Sequence, residues 1–303
     1  MDRSQPSRRN HITLLILASL ALTFLLAGCG SLTGEPGPPV SYTQGAGQVL
    51  IRLVDAPGNI FPSLRAIPEW ELYGDGTLLY QPQGTRSDTL LQAQIQPADI
   101  AHILDVIVNQ DAFFVDKKNL YGKATADVGQ LVLSVNASKQ QKTVSLLGEE
   151  GAPSEDQHMF SALHFLRSYQ PASPHPYTTP GAVVLLRPYP GAITHVAPWP
   201  YPDIALQQVA AQECKTLHPN SQGSCTATSN PDGYFPIYGK RGTDLLNLLK
   251  DQQIWYMSQE GQTYAILAWP LLPENLITQA DGKQWVQTEG MNGGRWPLLP
   301  GTH

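Results

Sequence analysis

The sequence predicts an α+β fold: antiparallel β-hairpins packed with a few amphipathic helices, divided into two subdomains. Three observations predict it. Trp70, Leu72, Leu78 and Tyr80 alternate on either side of Gly74-Asp75-Gly76, and Asp-Gly between alternating apolar runs signals a hairpin because both turn residues tolerate positive φ. Ile100, Ile103, Leu104, Ile107 and Val108 follow helical spacing behind Pro97, a residue suited to the first helical position. The strands also come as neighbouring pairs rather than alternating singly with helices, a pattern that disfavours a doubly wound parallel sheet.

In chain order, residues 48–54 (QVLIRLV) form the first strand and 57–68 a proline-rich connection. The hairpin of 70–80 follows, then a strand over 89–95 and the helix from 97 to about 109. Residues 128–135 and 141–147 flank the polar turn 136–140 and predict a second hairpin. Ser154-Glu155-Asp156-Gln157 is a capping box, and the helix it opens carries Met159, Leu163, Leu166 and Tyr169 on one face. Four prolines in residues 171–180 make a stiff, extended connector. Beyond it come an apolar strand over 182–187, a helix from 202 to about 213 and a strand over 233–238. Thr243 is placed to cap a helix bearing Leu245, Leu246, Leu248 and Leu249, and 254–258 with 262–269 form a hairpin across Glu260-Gly261. Trp269-Pro270-Leu271-Leu272-Pro273 recurs as Trp296-Pro297-Leu298-Leu299-Pro300; two copies do not make a solenoid, and the prolines exclude an ordinary internal strand.

The amino terminus has the layout of a secretory signal. Arg3, Arg8 and Arg9 form a positive front, and residues 12–27 are apolar apart from Thr13, Ser19 and Thr23. The run is short for a permanent span, which needs about 20 apolar residues. It closes on Leu26-Ala27-Gly28-Cys29, which resembles the cleavage box of bacterial lipoproteins. The resemblance implies cleavage between Gly28 and Cys29 and a lipid on Cys29: a diacylglyceryl group, often with a further acyl chain such as palmitate. Each buried methylene contributes about 0.8 kcal/mol, and two chains suffice for stable anchoring. The expected organisation is a signal peptide over 1–28 and a Gly/Pro-rich tether over 29–47. An N-terminal α+β domain over 48–170, the linker 171–180 and a C-terminal α+β domain over 181–303 follow.

Removing residues 1–28 takes away three arginines and one aspartate, which moves the net charge from −6 to −8. A body this acidic, with no basic stripe, is a poor partner for nucleic acid or anionic lipid headgroups. Of the three cysteines, Cys29 is assigned to lipid. Cys214 and Cys225 form an even pair in an extracytoplasmic setting, which predicts a disulfide. It closes a polar loop of about 12 residues, a constraint of about 3 kcal/mol in the chain-entropy model.

No reactive constellation emerges from the residue pattern. His102, His158 and His164 lack metal-ligand spacing, and His218 near the cysteines has no Cys-x-x-Cys pair beside it. There is no nucleophile elbow, phosphate loop or dinucleotide fingerprint, and so no catalytic residue, metal or cofactor is expected. Asp75 and Asp127 would make a carboxylate pair only where their hairpins meet.

The body as a whole resembles uncharacterised bacterial lipoproteins. The segments that carry the resemblance are Trp-x-Leu-Tyr-Gly-Asp-Gly-Thr at 70–77, Tyr121-Gly122 followed by Asp127, and the run from Gly261 to Pro273. They cover most of residues 48–273 and imply an α+β body with no assigned activity. The leading expectation is a membrane-anchored, extracytoplasmic, non-catalytic module that binds an envelope protein or polymer. Trp199, Trp269, Trp285 and Trp296 are the candidate contact residues. A solute- or small-ligand-binding lipoprotein is the alternative, and an envelope-polymer hydrolase the second.

Overall fold

In the computed structural model, the described residues form an α+β architecture with three sheets. The residues described are 38–56, 67–82, 90–122, 130–147, 157–209, 233–250, 255–278, 284–287 and 295–297. The first sheet contains β1 (Val49–Ala56), β2 (Trp70–Tyr73), β3 (Thr77–Tyr80), β4 (Leu91–Gln94), β5 (Leu120–Gly122), β6 (Gln130–Ala137), β7 (Gln140–Leu147) and β8 (His175–Pro176). Their order is β5-β7-β6-β1-β2-β3-β4-β8. Every pairing is antiparallel except that of β5 with β7.

The β2–β3 hairpin has the register Trp70↔Tyr80 and Leu72↔Leu78, which places these four apolar side chains on one face, as their alternation predicts. The turn differs from the two-residue form expected. Only Gly76 has positive φ (87°), and its N–H donates to the Tyr73 carbonyl at 3.0 Å. Asp75 Oδ1 accepts the Thr77 N–H at 2.9 Å. That local bond holds the aspartate in an ordinary conformation and leaves the left-handed step to the glycine. In β1 the register shifts between Val49↔Tyr73 and Ile51↔Leu72. This bulge turns both Leu50 and Ile51 inward, where both are buried.

Ser138 (φ 51°) and Lys139 (φ 60°) make the β6–β7 connection a two-residue turn, tighter than the five-residue loop the polar composition suggests. Positive φ at both central residues matches the right-handed twist of the paired strands.

Helix α1 (Pro97–Asp105) continues as a π-helical turn over Val106–Gln110. Ile100, Ile103, Leu104 and Ile107 are buried, the face the periodicity predicts. Helix α2 (Gln157–Ser168) buries Met159, Ala162, Leu163 and Leu166; Ser154, Glu155 and Asp156 of its capping box lie outside the described residues. Both helices share a core with Ile51, Leu53, Trp70, Leu72 and Leu133. The opposite side of the sheet is covered as well: Tyr73 and Leu79 cluster with Leu90 and Leu272. Hence β2 and β3 are buried along their whole length.

The second sheet joins β9 (Gly181–Pro188), β10 (Ala197–Pro198), β11 (Gly233–Tyr238), β12 (Trp255–Gln259) and β13 (Gln262–Pro270) in the order β10-β12-β13-β9-β11. Glu260 and Gly261 form a turn with φ of 51° and 78° between β12 and β13, as the sequence predicts. Helix α3 (Gly239–Leu249) seats Leu245 and Leu249 in a core with Val184, Leu186, Phe235 and Ile266. It starts four residues before Thr243, which is therefore no cap; the Thr243 hydroxyl instead donates to the Lys240 carbonyl at 2.9 Å. The reason is Gly239, whose φ of 61° lets the chain turn directly from strand to helix. Of the helix expected from 202, the structure describes a turn at 202–204 and helical residues 206–209.

The connector 171–180 contributes β8 to the first sheet, with Leu91↔Pro176 and Gln92↔His175. It is then tied to the second: the Thr179 and Tyr177 hydroxyls donate to the Leu271 carbonyl at 3.0 and 2.8 Å. Val40–His303 is one compact unit. A third sheet, β14 (Leu276–Thr278), β15 (Gln284–Gln287) and β16 (Arg295–Pro297), is an antiparallel meander. The repeated Trp-Pro pairs close β13 and β16. Proline at the last strand residue ends the ladder, so the echo marks two strand ends.

Candidate functional site

Among the described residues, a cluster of ionisable side chains lies on the side of the first sheet away from the helices. The β1–β2 register sets Arg52 opposite Glu71, and Tyr73, two residues on, shares that face. A short 3₁₀ turn over Pro273–Asn275 lowers Glu274 onto them. The turn is pinned by its own side chain, since the Leu272 N–H donates to Asn275 Oδ1 at 2.9 Å. Arg52 Nε lies 3.5 Å from Glu71 Oε1 and Arg52 Nη1 3.3 Å from Glu274 Oε1. The Tyr73 hydroxyl donates to Glu274 Oε2 at 2.5 Å.

Burial, reinforced by the Glu71 and Glu274 carboxylates, pushes the Tyr73 hydroxyl far above its ordinary range, and Tyr177 is displaced the same way by the same causes. Both phenols are therefore held neutral and serve as donors. Glu71 is 0% exposed. The cluster's charged groups engage one another and lie under the segment 271–275, which fits a lock between that segment and the sheet.

The predicted site residues fall in several places. Trp199 and Trp269, expected as contact residues, are only 6% and 5% exposed. The Trp199 ring stands edge-on to Tyr201 and Phe235 at 5.4 and 6.3 Å. Trp199 belongs to the core that holds Val184, Phe235 and Ile266, and Trp269, one residue past Ala268 on β13, is buried on the other face of that sheet. Large aromatic area is most favourably buried, and both are withdrawn as surface contacts. Trp285 and Trp296 lie on β15 and β16, where Val286 pairs with Trp296 and Trp285 with Pro297. Gly28, Cys29, Cys214, Cys225, His218 and Asp127 lie outside the described residues. Asp75 sits at an exposed hairpin tip. His102, His158 and His164 are exposed, and His102 meets Phe165 edge-on at 6.1 Å. Among the described residues no group of three His, Cys, Asp or Glu side chains could hold a metal, and no helix is long and apolar enough to cross a membrane.

Sequence reading missed three features. Glu71 is one, hidden in an alternating strand; a charge in a strand covered on both faces is visible only once the covering segment is known. Asp111 is another. It closes the π turn, its N–H donating to the Val106 carbonyl at 2.8 Å, and its carboxyl is buried. Burial raises its pKa, partly offset by a hydrogen bond from Ser161 and by His158. The third is the loop 111–119. Lys142 Nζ donates to the Phe113 and Asp116 carbonyls at 2.8 and 2.5 Å and stands 5.1 Å from the Phe113 ring centre. Val115 is nonetheless 78% exposed, and Leu120, opening β5, is 58% exposed.

Comparison of the chain with models of protein families, with curated proteins and with solved structures finds no match to any of them.

Proposed function

We propose that this protein is a membrane-anchored lipoprotein facing the extracytoplasmic side. Its α+β body serves the cell envelope as a non-catalytic binding or interaction module. The observation that carries the reading is Leu26-Ala27-Gly28-Cys29 at the end of an apolar run with an arginine-bearing front. The polar chain that follows, rich in Gly and Pro, suits a tether. Two features of the body support a binding role. The acidic and phenolic groups of the Arg52–Glu71–Glu274 cluster are bound to one another. The most exposed large apolar side chain of the described residues, Val115, projects from a braced loop.

The test is the N-terminal peptide of the mature protein and its distribution in cells. Mass spectrometry should find an acylated Cys29 as the first residue, and Cys29→Ala should release the body from the membrane fraction. Crosslinking and pull-down from intact cells, with Cys29→Ala as the unanchored control, should then enrich a partner that the control lacks. An unmodified Cys29 would remove the anchor. A partner captured equally by the control would remove the need for it.

A further inference from the structure

The body's charge of −8 after removal of residues 1–28 is an average, and a surface is felt only within a Debye length of about 8–10 Å. Lysine is unevenly placed: four of the nine lysines, Lys117, Lys118, Lys139 and Lys142, belong to the loop before β5 and to the β6–β7 hairpin. The structure joins these two segments. Lys142 on β7 braces the loop through the Phe113 and Asp116 carbonyls, and the Ser145 N–H donates to the Asn119 carbonyl at 2.9 Å. Lys117, Lys118 and Lys139 are exposed.

Asp116, the loop's own carboxylate, is engaged inside the loop. It accepts the Lys118 N–H at 2.9 Å and the Tyr121 hydroxyl. Asp75, at the next hairpin tip, lies three strand spacings away, about 14 Å. Among the same lysines stand Val115 and Leu120, two of the three large apolar residues left exposed among the described residues. Cations beside protruding aliphatic side chains are the composition of a bilayer-surface contact.

The chain also enters the body here. The Ser138 N–H, at the tip of the hairpin beside Lys139, donates to the Ser41 carbonyl at 2.6 Å. Ser41 follows Cys29 by only 12 residues, a length of chain that spans at most about 40 Å when fully extended. A lipid on Cys29 would therefore hold this flank of the body close to the membrane.

We propose that this flank, the loop 113–120 with the β6–β7 turn, docks on the anionic bilayer that carries the lipid anchor. Lys117, Lys118 and Lys139 meet the headgroups, and Val115 and Leu120 enter the headgroup boundary. The proposal rests on the lipoprotein reading for its proximity argument, but its chemistry can be tested separately.

The test is amine footprinting of the full-length protein in vesicles of phosphatidylcholine alone and of phosphatidylcholine with phosphatidylglycerol. Acetylation of Lys117, Lys118 and Lys139 should slow by about fivefold on the anionic vesicles, the factor corresponding to about 1 kcal/mol per lysine near such a surface. Lys240 and Lys250, on and after α3, are the internal references and should be unchanged. Equal rates in both vesicles overturn the proposal. Slowing by soluble polyphosphate alone, without vesicles, also overturns it, in favour of a polymer partner. The mass of the N-terminal peptide in the same sample reports the anchor independently. Slowed lysines with an unmodified Cys29 support docking and refute anchoring; an acylated Cys29 with unslowed lysines does the reverse.

Discussion

Replacing Gly242 by alanine opposes two effects of known sign. Gly242 lies within α3. By helix propensity alone, Gly→Ala in a helix interior stabilises by about 1 kcal/mol. The packing says otherwise. A Cβ at position 242 would sit 2.2 Å from the Ile237 carbonyl oxygen, 2.6 Å from the Ala182 nitrogen and 2.8 Å from the Gly181 Cα. All three are backbone atoms of β9 and β11, which cannot rotate aside as a side chain would. Non-bonded carbon atoms prefer about 3.5 Å or more, so the helix must lift by about 1 Å. That gap loosens Leu245 and Leu249 from their core, and a gap of this size forfeits about a quarter to a half of the dispersion energy at each contact. Overpacking of this kind costs about 1–3 kcal/mol, and rigid backbone on the receiving side puts it near the upper end. Set against the propensity gain, a net loss of about 2 kcal/mol is expected. Urea unfolding with an unchanged slope is the assay. Asn247→Ala, exposed on the same helix, is the control and should stabilise by about 0.5 kcal/mol. If Gly242→Ala stabilises like the control, the close approach of α3 to the sheet is wrong.

Arg52→Met leaves two buried carboxylates without their shared cation and should cost about 3 kcal/mol; a loss below about 1 kcal/mol in urea unfolding would mean that the cluster contributes no more than a surface pair. Asp111→Asn tests burial of a carboxyl. Its folded pKa is raised, chiefly by desolvation, so the charged form opposes folding above that pKa and the protonated form does not below the unfolded value. The variant should match the parent in strong acid and gain stability as pH rises; urea midpoints that are parallel across pH would refute it. Ala112 (φ 51°) and Lys139 (φ 60°) adopt left-handed backbone without being glycine, and Ala112→Gly and Lys139→Gly should each stabilise by about 0.5–1 kcal/mol, read as a rise in melting temperature. Trp269→Ala should cost about 3–5 kcal/mol as a core truncation, whereas a surface contact residue would leave the melting temperature nearly unmoved.

The local elements were legible because each is written in neighbouring residues. The spacing of Ile100, Ile103, Leu104 and Ile107 fixes a buried helix face wherever that helix packs. Asp75-Gly76 marks a reversal whether the turn has two central residues or three. The turn types themselves were less legible. Ser138-Lys139 takes positive φ without the Gly or Asn that usually signals it, because the twist of β6 and β7 imposes the geometry. Thr243 has a capping side chain but no helix start to cap, since Gly239 begins the helix a turn earlier.

What the chain determines by itself is local and covalent. The apolar run ending at Cys29, the hairpins, the helix faces and the strand-ending Trp-Pro pairs depend on residues a few positions apart. Tertiary structure alone decided which side chains are covered. Glu71 and Glu274, 203 positions apart, share Arg52 only because the segment after β13 returns across the first sheet. Trp199 and Trp269 are core and Val115 is surface. Burial is a property of long-range packing, and hydrophobicity in the sequence sets only the stake, not the side of the protein on which each residue ends.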